Sequence, residues 1–459
     1  MLELRFEQRE PMAEQSNIAA SRLDKAAYAQ GFNSDAKVPL DQPRALIEAS
    51  RCYFCYDAPC VEACPTGIDI PSFIRKISTH NIRGAALDIL EPNVFGGACA
   101  RVCPVEELCE EACVRDAQET KPVAIGMLQR FATDRFFETG EQPFSRAAAT
   151  GKRIVVVGAG PAGMSCAHRL ARLGHEVVVY DAREKTGGLN EYGIAAYKVV
   201  EDFAQKEVAF ILSVGGITVE HGKALGKELG LDDLRRDYDA VFLAIGQAGV
   251  RVVGVGGEDL AGVEPAVDFI ARLRQAPDLA AMPVGRRVVV IGGGNTAIDA
   301  AIQSKRLGAE DVTLVYRRGP DEMGATDHEQ EFAQTEGVKI KHWAKPAGFV
   351  GGGGTLTGVE FEYTRFAGKK LEGTGDTFIV PADMALTAVG QVLVDESINN
   401  GAKVALDVNG GRIVADAHGR TSLKGVYAGG DCVEGKDLTV QAVEDGKVTA
   451  LAIDADLRG

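Results

Sequence analysis

Eight of the ten cysteines fall between Cys52 and Cys113, in two runs whose spacing is that of a metal-binding site. The first run reads Cys52-x2-Cys55-x4-Cys60-x3-Cys64-Pro65, and the second Cys99-x3-Cys103-Pro104-x4-Cys109-x3-Cys113. Thiolates delivered this closely by one loop can surround an iron-sulfur cluster, and a Cys-Pro pair commonly closes such runs. Four cysteines can also hold zinc tetrahedrally, so zinc is the main rival. Disulfides are disfavoured, because the N-terminal MLELRFEQREPM is charged throughout and lacks the apolar core and small-residue cleavage site of a secretion signal. Cys166 lies within a helix pattern and reads as a buried apolar thiol. Cys432 has no second cysteine at C-x-x-C spacing, which argues against dithiol redox chemistry. The seven histidines are scattered and read as structural or surface residues.

A second kind of chemistry is written in glycines. Gly158, Gly160 and Gly163 form G-x-G-x-x-G between an apolar strand, RIVVV, and a helix. The first glycine permits a tight turn, the second lets a pyrophosphate approach the backbone, and the third allows helix and strand to pack closely. The helix start then offers unpaired N–H groups to the phosphates. Asp181 ends the next strand, placed to accept ribose hydroxyls. A second copy has Gly292, Gly294 and Ala297, with Asn295 and Thr296 at the helix start, and its second strand is expected to end in Arg317 and Arg318. Arginines there can bind a ribose 2′-phosphate, which favours NADP, although Asp321 and Glu322 close by oppose the inference. Two dinucleotide folds on one chain point to hydride transfer between a nicotinamide and a flavin, a step that requires no catalytic acid or base from the protein. The segment Ala428-Gly429-Gly430-Asp431 followed by Thr439-Val440-Gln441-Ala442 offers a helix start to the flavin, with Asp431 suited to its ribityl chain.

These residues need elements to hold them. The expectation is an α/β chain in which residues 1–150 form a helical iron-sulfur domain, 151–248 and 391–459 an FAD-binding domain, and 249–390 an NAD(P)-binding domain inserted within it. The polar segment GEQPFSRAAATG is the linker. The first 45 residues read as an extension that wraps or pairs with something larger. A hydrophobic share of 46% and a charged share of 25% are those of a globular chain. A net charge of -15 repels phosphate backbones and excludes nucleic acid as a partner. No apolar run approaches the roughly 18 residues of a membrane span, so a cytoplasmic protein is expected.

Taken together, DAPCVEACP, ARVCPVEELCEEAC, PVAIGMLQRFATD, GAGPAG, GGGNTAID and AGGDCVEG, collinear over residues 45–459, resemble the N-terminal part of dihydropyrimidine dehydrogenase, most closely as its separate bacterial subunit. The small subunit of glutamate synthase and the large subunit of NADH-dependent ferredoxin:NADP oxidoreductase share this plan and are the alternatives. The resemblance implies two 4Fe-4S clusters, one held by Cys52, Cys55, Cys60 and Cys113, the other by Cys64, Cys103, Cys109 and Gln129, with Cys99 left over. It implies FAD contacts from Asp181, Leu189, Lys198, Leu225 and the stretch from Gly430 to Thr439. For NAD or NADP it implies Gly293, Gly294, Asn295, Thr296, Arg317, Arg318 and the turn Ala388-Val389-Gly390. NADP-using members carry a further basic residue where this sequence reads MGAT, which leaves the choice of nucleotide open. In that family uracil or thymine is reduced on an FMN in a TIM barrel, for which no chain length remains. The implied partner is therefore an FMN/iron-sulfur catalytic subunit, in a heterotetramer.

Overall fold

A computed structural model describes residues 17–394, 398 and 405–459; residues 1–16 of the expected extension and 395–397 and 399–404 of the expected FAD-binding tail lie outside them. The chain forms two compact units, Asn33–Arg251 with Gly390–Gly459, and the described residues up to Phe32 with Val252–Val389.

The first unit begins with short helices whose starts are set by side-chain caps. Asp41 accepts from the backbone N–H of Arg44, Asp69 from that of Ser72, and Asn81 from that of Gly84, each satisfying a donor the helix leaves unpaired. In the helix Ile70–Ser78 the apolar residues Ile70, Phe73, Ile74 and Ile77 recur at three and four positions and are all buried. They pack with Ile89, Leu128 and Phe131, and Cys52, Cys60, Cys64, Cys109 and Cys113 lie against this core. The same unit holds a five-stranded parallel sheet in the order Val426–Ala428, Ala240–Leu243, Arg153–Val157, Glu176–Asp181, Ile217–His221. Its central strands, RIVVV and AVFL, are near-continuous apolar runs because both faces are covered. Residues 252–389 separate the strand Val426–Ala428 from the rest of its sheet, so the second nucleotide fold is inserted in the first. The ends of the insertion are pinned where Gly249–Val250 pairs antiparallel with Gln391–Val392.

The second unit repeats the plan: Lys339–Lys341, Asp311–Val315, Arg287–Ile291, Met384–Thr387 and Val263–Pro265 lie side by side in parallel. A three-stranded antiparallel sheet, Ala344–Gly352, Thr355–Ala367 and Lys370–Pro381, is added to it. The sequence reading groups the N-terminal extension with the helical domain; residues 33–45 do lie in that unit, whereas residues 17–32 belong to this second unit. Ile18–Ala19 pairs antiparallel with Val284–Gly285, Asn17 Nδ2 donates to Asp383 Oδ1 at 2.9 Å, and Tyr28 and Phe32 are buried. A two-residue strand completed by a distant edge leaves no periodic signal, which is why composition alone assigns it to its sequence neighbours.

Candidate functional site

The first four thiols, Cys52, Cys55, Cys60 and Cys113, line one cleft, walled by Ile70, Ile74 and Ile125. Burial pushes the Cys52 thiol up, as do the neighbouring Cys55 and Cys113; burial with Cys113, Cys52 and Cys55 pushes Cys60 up to about 12. Cys52 and Cys60 thus resist ionising beside their neighbours, a cost that bound iron would offset by supplying the missing positive charge. In the second group a hydrogen bond with Cys99, then burial, raise Cys103, and Cys109 and Cys64 stand near it. Burial raises Cys109, followed by Glu110, Cys64 and Cys60. Cys99, unassigned by the resemblance, is therefore at hydrogen-bonding distance from a proposed ligand. Gln129 is buried on the helix Ile125–Phe137, and its amide Nε2 donates to Gly96 O at 2.7 Å, which fixes the plane of the amide and the direction of Oε1. Among the described residues no group of three or more His, Cys, Asp or Glu side chains is arranged to hold one metal ion.

Of the second thiol group, Cys103 shares its apolar surroundings with the first nucleotide fold, as does Cys99. Phe95, Ala98, Cys99 and Leu108 pack in one core with Met164, Cys166, Val440 and Val443, and Cys103 lies against it. A buried polar contact adds to this junction. Glu207, on the helix Phe203–Leu212, accepts through Oε1 from the N–H groups of Gly97 (2.9 Å) and Ala98 (3.0 Å). Arg101 lies 3.5 Å over the Phe203 ring and donates to Asp134 Oδ1 at 2.8 Å. Burial pushes the Glu207 carboxyl up to about 8, and its Oε2 has no partner among the described residues. Sequence reading misses Glu207 and Arg101, since FAQKEVAFIL and GGACARV look like ordinary helix faces.

At the first glycine turn, Gly158 has φ +107° and a Cβ there would sit 2.2 Å from Ala244 O. A Cβ on Gly163 would sit 1.9 Å from Gly158 O, whereas Gly160 meets nothing nearer than 3.7 Å. The turn is closed where strand and helix meet and open where a pyrophosphate would approach, as a dinucleotide requires. Asp181 Oδ2 accepts from the N–H of Ala159 and Oδ1 from that of Arg183, both at 2.7 Å. Leu189 opens the short helix Leu189–Tyr192, Leu225 is buried, and the Lys198 ammonium lies 6.0 Å from the Tyr197 ring centre. Gly430 has φ +74°, and the helix Thr439–Arg458 starts without a side-chain cap of its own. The Thr439 hydroxyl donates to Asn190 Oδ1 at 3.0 Å. Burial, then Asp437, push Asp431 up to about 6 against the pull of Arg412. Cys432 is buried and donates from Sγ to Leu243 O and Gly429 O, a structural role.

The second turn is built alike. Gly292 has φ +153°, and a Cβ there would sit 2.3 Å from Ala388 O. Gly293 lies beneath the Tyr316 ring, Gly294 meets nothing within 4 Å, and Asn295 and Thr296 begin the helix Asn295–Arg306. Arg317 is exposed and Arg318 half-buried, and neither guanidinium has a hydrogen-bond or ion-pair partner among the described residues. The Ala388 N–H donates to Ile291 O at 2.8 Å; Gly390 belongs with the other compact unit.

Two glycine-turn sheets, one interrupting the other, define a class of nucleotide-dependent redox proteins. The chain belongs to the pyridine nucleotide-disulphide oxidoreductase family, whose model matches residues 152–446, and is an NAD(P)-dependent oxidoreductase; residues 29–141 match the family of dihydropyrimidine dehydrogenase domain II, 4Fe-4S cluster. It is 35% identical over 410 residues to a NAD-dependent dihydropyrimidine dehydrogenase subunit PreT homolog of Salmonella typhi, covering 89% of this chain and 93% of that one. It is 34% identical over 434 residues to the glutamate synthase (NADPH) small chain of Escherichia coli (strain K12), covering 90% and 91%. Mycobacterium tuberculosis FprA, solved in complex with NADPH, shares the fold with a TM-score of 0.57 at 20% identity, over 67% of this chain and 84% of that one. No helix among the described residues is long and apolar enough to cross a membrane.

Proposed function

We propose that this chain is the electron-input subunit of a dihydropyrimidine dehydrogenase. Bound FAD would take hydride from NADH or NADPH, and two 4Fe-4S clusters would pass the electrons singly to an FMN/iron-sulfur subunit that reduces uracil or thymine to the 5,6-dihydropyrimidine. The observation that carries the reading is the shared core: Cys103, with Cys99 beside it, is packed against the core of the first nucleotide fold within one compact unit. Donors and acceptors held within one compact unit would keep a short path for electrons.

The residues divide the work. Cys52, Cys55, Cys60 and Cys113 would grip one cluster, and Cys64, Cys103, Cys109 and Gln129 the other. Gly160 and the uncapped helix start at Thr439 would receive the FAD pyrophosphate and ring, while Asp181 would bind the ribose. Gly294, Asn295 and Thr296 would hold the nicotinamide cofactor's phosphates. Arg317 and Arg318, whose guanidiniums have no partner among the described residues, would take a ribose 2′-phosphate, which favours NADPH. Sequence similarity of the same extent supports a second reading, a glutamate synthase small chain.

Co-expression with a candidate partner separates the readings. NAD(P)H oxidation that depends on uracil and on an FMN-bearing partner supports the first; oxidation coupled only to a glutamine amidotransferase subunit supports the second. A chain whose flavin absorbance does not bleach with either NADH or NADPH would falsify both.

A further inference from the structure

The arginine pair stands on a turn that the chain holds from behind. The Thr364 hydroxyl donates to Arg317 O at 2.7 Å, and the Trp343 N–H donates to the next carbonyl, Arg318 O, at 3.1 Å. The two anchors are themselves joined, since the Thr364 N–H donates to Trp343 O at 2.9 Å. Thr364 is buried in the middle strand of the three-stranded sheet. Trp343 has φ +60°, a left-handed conformation that a bulky residue adopts only when its surroundings impose it. Its ring meets Phe366 edge-on at 5.5 Å and lies so close to Gly319 that a Cβ there would come within 2.8 Å of Cζ2. The next face of the turn is fixed too: the Tyr316 ring covers Gly293, and its hydroxyl donates to Glu322 O at 2.6 Å.

Both carbonyls of the pair are thus turned inward and bonded, while both guanidiniums project without a partner among the described residues. Long cationic side chains lose much rotamer freedom when they bind, and a rigid backbone beneath them lowers that cost. We propose that Thr364 and Trp343 are positioning residues for nucleotide selection: they set the Arg317–Arg318 backbone so that both side chains converge on a 2′-phosphate. This rests on the reading that the arginine pair takes that phosphate. The three-stranded sheet then serves as the back wall of the specificity turn.

The test uses the full chain with its cofactors and measures binding of 2′,5′-ADP and of 5′-AMP by calorimetry, beside KM for NADPH and NADH. Thr364→Val keeps the side-chain shape and removes the donor. Affinity for 2′,5′-ADP is expected to fall about fivefold, with 5′-AMP unchanged, and Thr364→Ser to restore it. Gly319→Ala, which presses on the Trp343 ring, is expected to give the same selective loss. If Arg317→Ala/Arg318→Ala weakens 2′,5′-ADP but Thr364→Val does not, the positioning role is overturned and the arginine reading stands. Equal loss of both ligands in Thr364→Val means a merely structural role and also overturns it. If the double arginine variant leaves 2′,5′-ADP binding unaltered, the arginine reading itself fails and the proposal goes with it.

Discussion

The two nucleotide folds follow one plan and differ at the places where ligands would be told apart. In both, the first glycine presses against a carbonyl of the neighbouring crossover, Ala244 O for Gly158 and Ala388 O for Gly292. In both, the second glycine is open to an approaching phosphate. The third position differs: Gly163 has no room for a methyl group, while the second fold accommodates Ala297 fully buried. The end of the second strand differs more. Asp181 has both oxygens bonded to backbone N–H groups, one of the glycine turn at Ala159 and one of its own turn at Arg183, whereas among the described residues the Arg317 and Arg318 guanidiniums have no partner and their carbonyls are bonded. The backbone thus carries what dinucleotide binding has in common, and a few side chains carry what separates one nucleotide from another.

The largest effect should come from breaking the common part. Gly158→Ala and Gly292→Ala each place a Cβ in contact with a carbonyl at a positive φ, a clash of several kcal/mol. The first is expected to yield protein without flavin absorbance. The second should stay yellow but lose more than about a hundredfold in kcat/KM with NAD(P)H. If Gly292→Ala instead loses the flavin, the folds have been assigned in the wrong order.

The arginines come next. Arg317→Ala/Arg318→Ala should raise KM for NADPH about tenfold to a hundredfold and leave KM for NADH within about twofold, because a charge-assisted bidentate contact is lost only where a 2′-phosphate exists. Equal changes with both nucleotides would erase the contrast with Asp181.

The folds also differ in what they carry, since the first lies in one unit with the thiol domain, to which Glu207 helps to join it. Its carboxyl sits at about 8 rather than the ordinary 4.5, so the folded chain keeps a proton that the unfolded chain has released between those values. Stability contributed by that proton is present below pH ~4.5 and lost as pH rises through ~8. Glu207→Gln should therefore match the native chain near pH 5 and exceed it at pH 9 by about 2–4 kcal/mol in urea unfolding. A variant equally weakened at both pH values would show that the carboxylate is needed in its charged form. The smallest effect is at the third turn position: Ala297→Gly should cost about 1 kcal/mol by helix propensity, while Gly163→Ala should cost several times more. Comparable melting shifts would remove this asymmetry.

Much of this contrast was legible in the sequence because its signals are local. A strand, a glycine triplet and a helix follow one another within 20 residues or so, and Cys-x2-Cys or Cys-x3-Cys needs no partner from elsewhere to be recognised. The insertion was readable for the same reason, as two copies of one plan followed by a helix that lacks its own fingerprint. What escaped depends on distance along the chain. Thr364 lies 47 positions from the carbonyl it holds, and Glu207 is 110 positions from Gly97. Ile18–Ala19 acquires strand geometry only from Val284–Gly285. The φ of Trp343 is likewise imposed by its surroundings and leaves no mark in composition.

The late arrival of Val426–Ala428 has a consequence for synthesis. That strand covers one flank of Ala240–Leu243 and leads into the helix whose Gly446 packs on Ala162 of the first glycine helix. Synthesis must therefore run past Ala428 before the first sheet gains its last strand, while the inserted fold, finished by Thr387, has all its strands some forty residues sooner. Nascent chains would mature from the middle outward, and the flavin would be among the last parts to be captured.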